Sequence, residues 1–388
     1  MTELAPRTMI VPIRAGRLVI TVRREELPLA DCIACATRQN PRRLYLFVSK
    51  VLGKHWPVRP SVMRDVHQRL AGKIADLPGP VLMIGLAETA TALGRGVAEE
   101  AAVQTGRDDV LYLQTTRCRL SRPLAFGFDE CHSHAPEHAV YLPDPALQPV
   151  FRAARTLVLV DDEISTGRTL AQLARAYLEV NPGIERIAFA CITNWLDDAR
   201  RRELAVLLER PIMLPAIIEG SFRFEPDPDF PLPILPLVPA SLERSHDDIV
   251  ADPARTGLMA GRWSLPRFMD SLWWKVGMEE RGGRPLAVIG TGEYAYTPFR
   301  IALALEEAGH DVRFQSTTRS PILVGDAIAS RLEFPDHHGD GIANYLYNLD
   351  PTRLPVVVYE HPAMPAQHPL SGEIGGWALA VEEPCHAS

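Results

Sequence analysis

Two adjacent acids followed by hydroxyl-bearing residues form the stretch of this sequence most suited to chemistry. Residues 157–169 read LVLVDDEISTGRT, so an apolar run ends directly at Asp161 and Asp162. A buried parallel strand places its carboxyl end at the ligand crevice of an α/β sheet. Carboxylates at that position can accept hydrogen bonds from the hydroxyl groups of a ligand. The pattern therefore predicts that the strand ends in a binding site.

The residues after the acids are typical of a phosphate-binding turn. Ser165, Thr166 and Thr169 offer hydroxyl donors. Gly167 lets the backbone come close to a ligand, and a helix is predicted to start directly after it. The amino end of a helix presents free N–H groups and the positive end of the helix dipole, which together bind phosphate. Acids beside such a turn suit a sugar phosphate, whereas the missing Gly-Lys-Ser/Thr excludes a Walker A loop.

The elements that must position these residues alternate between strands and helices. Such alternation predicts an α/β fold, with a parallel sheet flanked by helices. Residues 29–60 carry little periodicity and are predicted to form an elaborated loop. The predicted strands lie at 9–23 (two strands around a glycine), 80–85, 109–117, 156–162 and 186–193, and a helix is predicted over 61–77.

A second stretch of the chain repeats the first. Residues 283–321 align with residues 79–119, so that Glu293 matches Glu88 and Thr317-Thr318-Arg319 matches Thr115-Thr116-Arg117. Self-similarity of this kind indicates two related folds in one chain. We therefore predict a first domain over 1–240 and a second, degenerate α/β domain over 250–388.

Size and charge exclude several function classes. The chain has 388 residues, more than one hydrophobic core usually serves. Its net charge is -7, with 48 acidic against 41 basic residues, which argues against nucleic acid as a partner. No apolar run approaches the ~20 residues of a membrane span. We expect a cytoplasmic protein without a membrane partner, and a homodimer is possible.

The motifs together resemble a known family. The stretch 157–169 resembles the 5-phosphoribosyl-1-pyrophosphate (PRPP) motif of type I phosphoribosyltransferases. The segments SKVLGKHWP, GLAETATALG and HSHAPEH, with TTRSP further on, resemble phosphoribosyltransferase-like proteins of tellurium-resistance-type gene clusters. Those proteins carry a C-terminal domain named for its Thr-Arg-Ser-Pro motif. The resemblance covers nearly the whole chain.

This resemblance implies an enzyme that uses PRPP and Mg²⁺ to ribosylate an unidentified small-molecule acceptor in the biosynthesis of a nucleoside-like metabolite. It implies catalytic roles for Asp161, Asp162 and Glu163, with Mg²⁺ held indirectly by the first two. Glu163 or a histidine could act as a general base, and the sequence does not choose. The substrate-binding residues that it implies are Ser165, Thr166, Gly167, Arg168, Thr169, Gly85, Glu88, Thr89, Lys50, Lys54, His55, Arg117, His132 and His134.

The second unit departs from the motif at its equivalent strand. Residues 354–363 read LPVVVYEHPA, so Tyr359, Glu360 and His361 replace the three acids. Pro362 follows, and it has no N–H to give a phosphate. This copy should keep its sheet and lose the phosphate site. We expect a second pocket for an anionic acceptor at Glu293, Arg319, Ser320 and His338. The alternative is a lobe that only supports the first unit.

Two other functions remain open on the sequence. The chain could be a regulatory or accessory protein that binds PRPP or a nucleotide without turnover. It could also hydrolyse or phosphorolyse a ribosyl bond. The acid pair and the arginines, lysines and histidines of 47–60 and 115–143 favour phosphoribosyl transfer. The sequence names neither the acceptor nor the direction of the reaction.

Overall fold

The computed structural model describes residues 6–129, 137–234, 245–247, 250–264 and 284–380. Within these ranges the chain forms two α/β units that pack against each other. None of the described helices is both long enough and apolar enough to cross a membrane.

The first unit holds most of the regular structure. Its strands are β1 (Arg7–Ile13), β2 (Gly16–Glu25), β3 (Ile33–Thr37), β4 (Tyr45–Ser49), β5 (Val81–Gly85), β6 (Val110–Gln114), β7 (Leu124–Asp129), β8 (Glu137–Tyr141), β9 (Thr156–Ile164), β10 (Arg186–Asn194), β11 (Ile212–Met213) and β12 (Ala216–Pro226). Its helices are α1 (Leu29–Cys32), α2 (Pro60–Gly72), α3 (Thr91–Thr105), α4 (Gln148–Ala153), α5 (Arg168–Val180) and α6 (Asp198–Leu208).

The second unit follows a short 3₁₀ helix at Pro253–Arg255. Its strands are β13 (Leu258–Met259), β14 (Leu286–Gly290), β15 (Val312–Ser316), β16 (Arg331–Pro335), β17 (Ala343–Tyr347), β18 (Leu354–Tyr359) and β19 (Trp377–Ala380). Its helices are α7 (Tyr296–Glu307), α8 (Met364–Gln367) and α9 (Leu370–Glu373).

The central sheet of the first unit is largely parallel, as the alternation of strands and helices predicts. In the described residues its order is β1-β2-β12-β10-β9-β5-β6-β13, and β11 pairs with β10 at the side. Strands β6, β5, β9 and β10 run parallel to one another. All residues of β5 and β6 are buried, because helices cover both faces of such a sheet. In β9, five buried residues precede the partly exposed Asp161 to Glu163.

The predicted repeat is confirmed at the level of single hydrogen bonds. The second sheet has the order β15-β14-β18-β19, which is the order β6-β5-β9-β10 of the first unit. Ala87 N–H donates to the Thr115 hydroxyl at 2.8 Å, and Gly292 N–H donates to the Thr317 hydroxyl at 2.8 Å. The hairpins β7–β8 and β16–β17 follow the two Thr-Thr-Arg segments in the same way. Thr116 pairs with β8, and Thr318 pairs with β17.

Two local predictions were wrong. Residues 29–60 contain α1 and the antiparallel hairpin β3–β4 rather than a loop. Buried residues of this hairpin pack against the second unit, in a cluster with Tyr345 and Tyr347, so tertiary contact supplies what local periodicity does not show. Helix α2 begins at Pro60 and ends at Gly72, short of residue 77, and glycine is a poor helix former.

The two units exchange short segments at their sheet edges. Val58 of the first unit pairs with Phe314 on β15, and β13 pairs with β6. In each unit, a short segment thus pairs with a strand of the other unit: Val58 with β15, and β13 with β6. Because residues 250–259 contact both units, the predicted division between 240 and 250 stays a prediction.

Candidate functional site

Three strand ends meet at the carboxyl edge of the first sheet. Strand β5 lies between β9 and β6, so the turn after Gly85 touches both neighbours. Leu86 N–H donates to the Val160 carbonyl at 3.0 Å, and Thr115 N–H donates to the Gly85 carbonyl at 3.0 Å. The stretch predicted to bind PRPP, the turn after Gly85 and the Thr-Thr-Arg segment therefore lie side by side at this edge of the sheet.

The paired acids stand at the centre of this edge. Asp161 and Asp162 are partly exposed, and Asp162 N–H donates to Asp161 Oδ1 at 2.9 Å. The Thr89 hydroxyl donates to Asp162 Oδ1 at 2.9 Å. This bond joins the acids to the turn after β5, as expected for residues that act on one ligand. Carboxylates can accept hydrogen bonds from ribose hydroxyls or from the water molecules of a hydrated cation.

The loop after the acids has the backbone that a phosphate requires. Gly167 has φ 70°, and a Cβ on it would lie 2.7 Å from Leu204 Cδ1, so glycine is required there. Helix α5 starts at Arg168, which is exposed, while Ser165, Thr166 and Thr169 are partly exposed. Within the described ranges, no backbone carbonyl accepts from the N–H groups of Thr166, Gly167 and Thr169. These groups are therefore available to a phosphate.

Glu163 is held in an ion pair that the sequence did not predict. Both of its oxygens lie 2.9 Å from Arg43 Nη2, which reaches over from the segment between β3 and β4. Burial raises the pKa of Glu163, while the Arg43 guanidinium opposes that rise. The pairing favours a positioning role for Glu163 over proton transfer. Arg43 belongs to no recognisable sequence motif. The fold of the hairpin β3–β4 brings it to Glu163, which is 120 residues away in the chain.

Lys54 lies beside the turn after β5, which contains no lysine of its own. Its Nζ lies 3.2 Å from Glu88 Oε1 and donates to the Gly292 carbonyl at 2.8 Å. Burial lowers the pKa of Lys54, and the Glu88 carboxylate opposes that fall. Glu88 also accepts the Arg319 N–H at 3.2 Å. Lys54 and Glu88 therefore join the turn to the second unit.

Two other residues of the predicted substrate set lie elsewhere. Lys50 Nζ donates to the Ala30 carbonyl at 2.6 Å and stands 5.7 Å from the centre of the Trp56 ring. His55 is buried, and its ring centroid is 5.9 Å from that of Tyr347 in the second unit. Burial, with a smaller effect of Lys54, lowers the pKa of His55 to about 3. The structure gives both residues roles in packing, and their predicted part in ligand binding stays a prediction.

A basic cleft opens beside the Thr-Thr-Arg segment, under the hairpin β7–β8. Its volume is about 530 Å³, and it is lined by Arg117, Arg119, Arg122 and His138 among others. His138 Nδ1 lies 3.1 Å from the Thr115 hydroxyl, which also accepts the Ala87 N–H. The cleft therefore continues directly from the turn after β5. His132 and His134, predicted as substrate-binding residues, lie outside the described residues.

In the second unit the corresponding strand end is filled by protein. The register of β14 with β18 places Glu360 at the position of Asp162. Glu360 is fully buried, and Arg255 Nη1 donates to its Oε2 at 2.8 Å. Burial raises the pKa of Glu360, but Arg255 and His338 together outweigh that effect, and the pKa falls to about 2. An arginine of this chain thus occupies the place where the first unit faces solvent.

The residues of the predicted second pocket lie between the units. Glu293 accepts from the Thr116 hydroxyl at 2.6 Å and from the Arg117 N–H at 2.8 Å. Ser320 N–H donates to the Thr318 hydroxyl at 3.1 Å. Glu293 and His338 are buried, Arg319 is nearly so, and Arg255 fills the space beside Glu293. A pocket for an anionic acceptor at these residues stays a prediction.

Comparison with protein families identifies both parts of the chain. Residues 32–221 match a family model described as phosphoribosyl transferase. Residues 259–371 match the TRSP domain, described as lying C-terminal to that transferase. No curated protein matches the chain in sequence.

Solved structures with a similar fold include adenine phosphoribosyltransferases. The enzyme of Giardia lamblia, complexed with 9-deazaadenine, is 17% identical with a TM-score of 0.30, over 41% of this chain and 80% of that one. That of Thermoanaerobacter pseudethanolicus is 13% identical with a TM-score of 0.30, over 45% and 88%. A Neisseria gonorrhoeae protein with bound ppGpp is 12% identical with a TM-score of 0.25, over 42% and 80%. At such TM-scores the likeness adds nothing to the topology described above.

Proposed function

Since the chain joins a phosphoribosyl transferase domain to a TRSP domain C-terminal to it, we propose that it transfers the 5-phosphoribosyl group of PRPP to a small-molecule acceptor and releases pyrophosphate. The observation that carries this proposal is the end of β9. There, two partly exposed acids adjoin a glycine turn whose N–H groups are available to a phosphate.

The 5-phosphate binds the turn of Ser165 to Thr169. Its oxygens accept from backbone N–H groups and hydroxyls at the start of α5, where the helix dipole also favours negative charge. Asp161 and Asp162 accept from the ribose hydroxyls, directly or through water. As positive charge develops at the ribose C1, these two carboxylates stabilise it electrostatically.

The residues present fit Mg²⁺. The acids at the end of β9 are hard oxygen donors of the kind that Mg²⁺ prefers, and both are partly exposed. Mg²⁺, when bound with PRPP, would offset the charge of the departing pyrophosphate. The two acids would hold it through its water molecules, as the resemblance implies.

Pyrophosphate leaves along the turn after β5 and the basic cleft. The turn carries the Thr89 hydroxyl, and the cleft is lined by the guanidinium groups of Arg117, Arg119 and Arg122, of which Arg122 is paired with Asp144. Arginine suits pyrophosphate because its planar fork binds phosphate oxygens in pairs. Lys54 and Glu163 are in ion pairs, so in this proposal they fix the shape of the site rather than bind the leaving group.

The experiment that tests the proposal has two steps. PRPP binding with Mg²⁺ is measured by calorimetry, and turnover is then followed as pyrophosphate release during a screen of acceptors by mass spectrometry. Binding at the β9 end with acceptor-dependent release supports the transferase. Binding without release under any acceptor favours the accessory function, and no PRPP binding contradicts both.

A further inference from the structure

A cluster of metal-ligand groups lies in the second unit, apart from the site proposed for PRPP. Donor atoms of His337, His338 and Glu360 lie within 4.8 Å of one another, and all three residues are buried. Donor atoms of His246, His338 and Asp340 meet the same limit. Two imidazoles and a carboxylate are a common ligand set for zinc and related divalent ions.

The chain positions these donors from two elements. His337 and His338 lie in the connection between β16 and β17, and Glu360 follows β18. The Asp336 carboxylate shapes the connection, because it accepts the N–H groups of His338 at 2.9 Å and Asp340 at 3.0 Å. The histidines are therefore held against the end of β18 by a fixed loop.

His337 is the observation that points to a ligand. It is 5% exposed, and neither of its ring nitrogens has a hydrogen-bond partner among the residues that the structure describes. A buried imidazole without partners is costly. Its ring fits against the turn of the second unit only because Gly292 has no side chain, since a Cβ there would lie 2.8 Å from His337 Cε1. A cation bound to one ring nitrogen would give this buried imidazole a partner.

The geometry also separates the two donor groups. His246 Nε2 already lies 2.9 Å from Asp340 Oδ1, so that pair is satisfied without a metal ion. In the other group, His338 Nε2 is 3.7 Å from Glu360 Oε1. Arg255 donates to Glu360 Oε2 at 2.8 Å and, with a longer bond of 3.3 Å, to Oε1. Glu360 Oε1 thus faces the histidines. The Cys118 thiol, 3.8 Å from His338 Nε2, stands near as a further donor.

We propose that His337, His338 and Glu360 bind a divalent transition-metal ion of the zinc type. The ion would tie the connection between β16 and β17 to the end of β18, at the place where the first unit has its ribose-binding acids. Its role is structural, since protein groups surround it, and it does not depend on the function proposed for the first unit.

Metal content tests the proposal. The full-length protein, produced without a polyhistidine tag and dialysed against a weak chelator, is analysed by mass spectrometry of its metals. We expect about one equivalent of zinc per chain, and at least about tenfold less in His337→Gln and in His338→Gln. His310→Gln, outside the cluster, is the matched control and should retain the metal.

Cobalt provides a second measurement that does not need the variants to fold. Co²⁺ added to the metal-free wild type should give d–d absorption bands that saturate at about one equivalent and disappear when Zn²⁺ is added. Absence of bound metal together with absence of such bands would overturn the proposal. Loss of metal in His246→Gln with retention in His337→Gln would overturn this choice of donors.

Discussion

The ends of β9 and β18 occupy equivalent positions in the two units and differ in what faces them. At β9, Asp161 and Asp162 are partly exposed beside an open glycine turn. At β18, Glu360 is fully buried against Arg255. The same strand order and the same turn hydrogen bonds surround both.

The difference separates the parts of the repeated fold that hold the two units together from the parts that take no share in that packing. The Thr-Thr-Arg segments are kept in both units because each supplies a backbone N–H to a glutamate of the other unit. Arg117 N–H donates to Glu293 at 2.8 Å, and Arg319 N–H donates to Glu88 at 3.2 Å. The acids and the glycine turn occur at β9 alone in the described chain, so their function lies outside the packing of the units.

The largest effect should come from removing the acids at the end of β9. Asp161→Asn with Asp162→Asn should lower kcat/KM by about 10³-fold or more, because the variant loses the charges that stabilise the ribose cation. The fold should persist, since two like charges are removed. Pyrophosphate release and circular dichroism measure the two results. Asp76→Asn with Asp108→Asn, two exposed acids, is the charge-matched control, and equal activity of both double variants would contradict the assignment.

Removal of the buried arginine at the end of β18 should lower the free energy of unfolding, and it should not act on catalysis directly. Arg255→Leu leaves Glu293 and Glu360 buried without their cation, which should cost about 3 kcal/mol or more of unfolding free energy. Urea denaturation measures it. Arg17→Leu breaks the exposed pair with Glu225 and should cost under about 1 kcal/mol. If both variants were equally stable, the ion pairs of Arg255 at the end of β18 would not stabilise the second unit.

The packing of the units should also respond to pH. Burial, with Arg300 and Arg64 adding to it, lowers the pKa of His67 to about 3, and its ring packs on Phe299 of the second unit. The unfolded chain binds a proton below the ordinary value of 6.5, whereas the folded state does not. The contribution of His67 to the free energy of unfolding is therefore fully present above pH 6.5, and it is lost as the pH decreases toward 3. The contribution of His67 to the loss between pH 7 and pH 5 should be about 2 kcal/mol.

Denaturation of His67→Leu tests this linkage. The variant should lose less stability than the wild type over the same pH interval, because leucine takes up no proton. An unchanged pH dependence would mean that His67 is protonated in the folded protein.

The smallest effect should come from the glycine turn. Gly167→Ala must adopt φ 70° and meets Leu204 Cδ1 at 2.7 Å, so the turn shifts and PRPP binding should weaken by about tenfold, or about 1.4 kcal/mol. Gly106→Ala has a similar φ of 66° without a neighbour within 4 Å and serves as the control. Equal PRPP affinity in both variants would show that the turn does not contact the ligand.

The sequence by itself determined the sheet and the repeat, and it predicted a candidate site at the end of β9. These depend on local signals: buried apolar runs, a glycine turn before a helix, and acids at a strand end. The alignment of the two repeats in the sequence also identified Tyr359, Glu360 and His361 as the replacements for the three acids in the second unit. The strand register of the structure places Glu360 at the position equivalent to Asp162.

Only the tertiary structure decided which charges meet. Arg43 with Glu163, Lys54 with Glu88, and Arg255 with Glu360 join residues far apart in the chain, and no spacing rule brings them together. The hairpin β3–β4 likewise forms where periodicity predicted a loop, because the second unit covers it. Because these side chains are buried, each charge needs a partner, since an unpaired charge in the interior costs far more free energy than one in water.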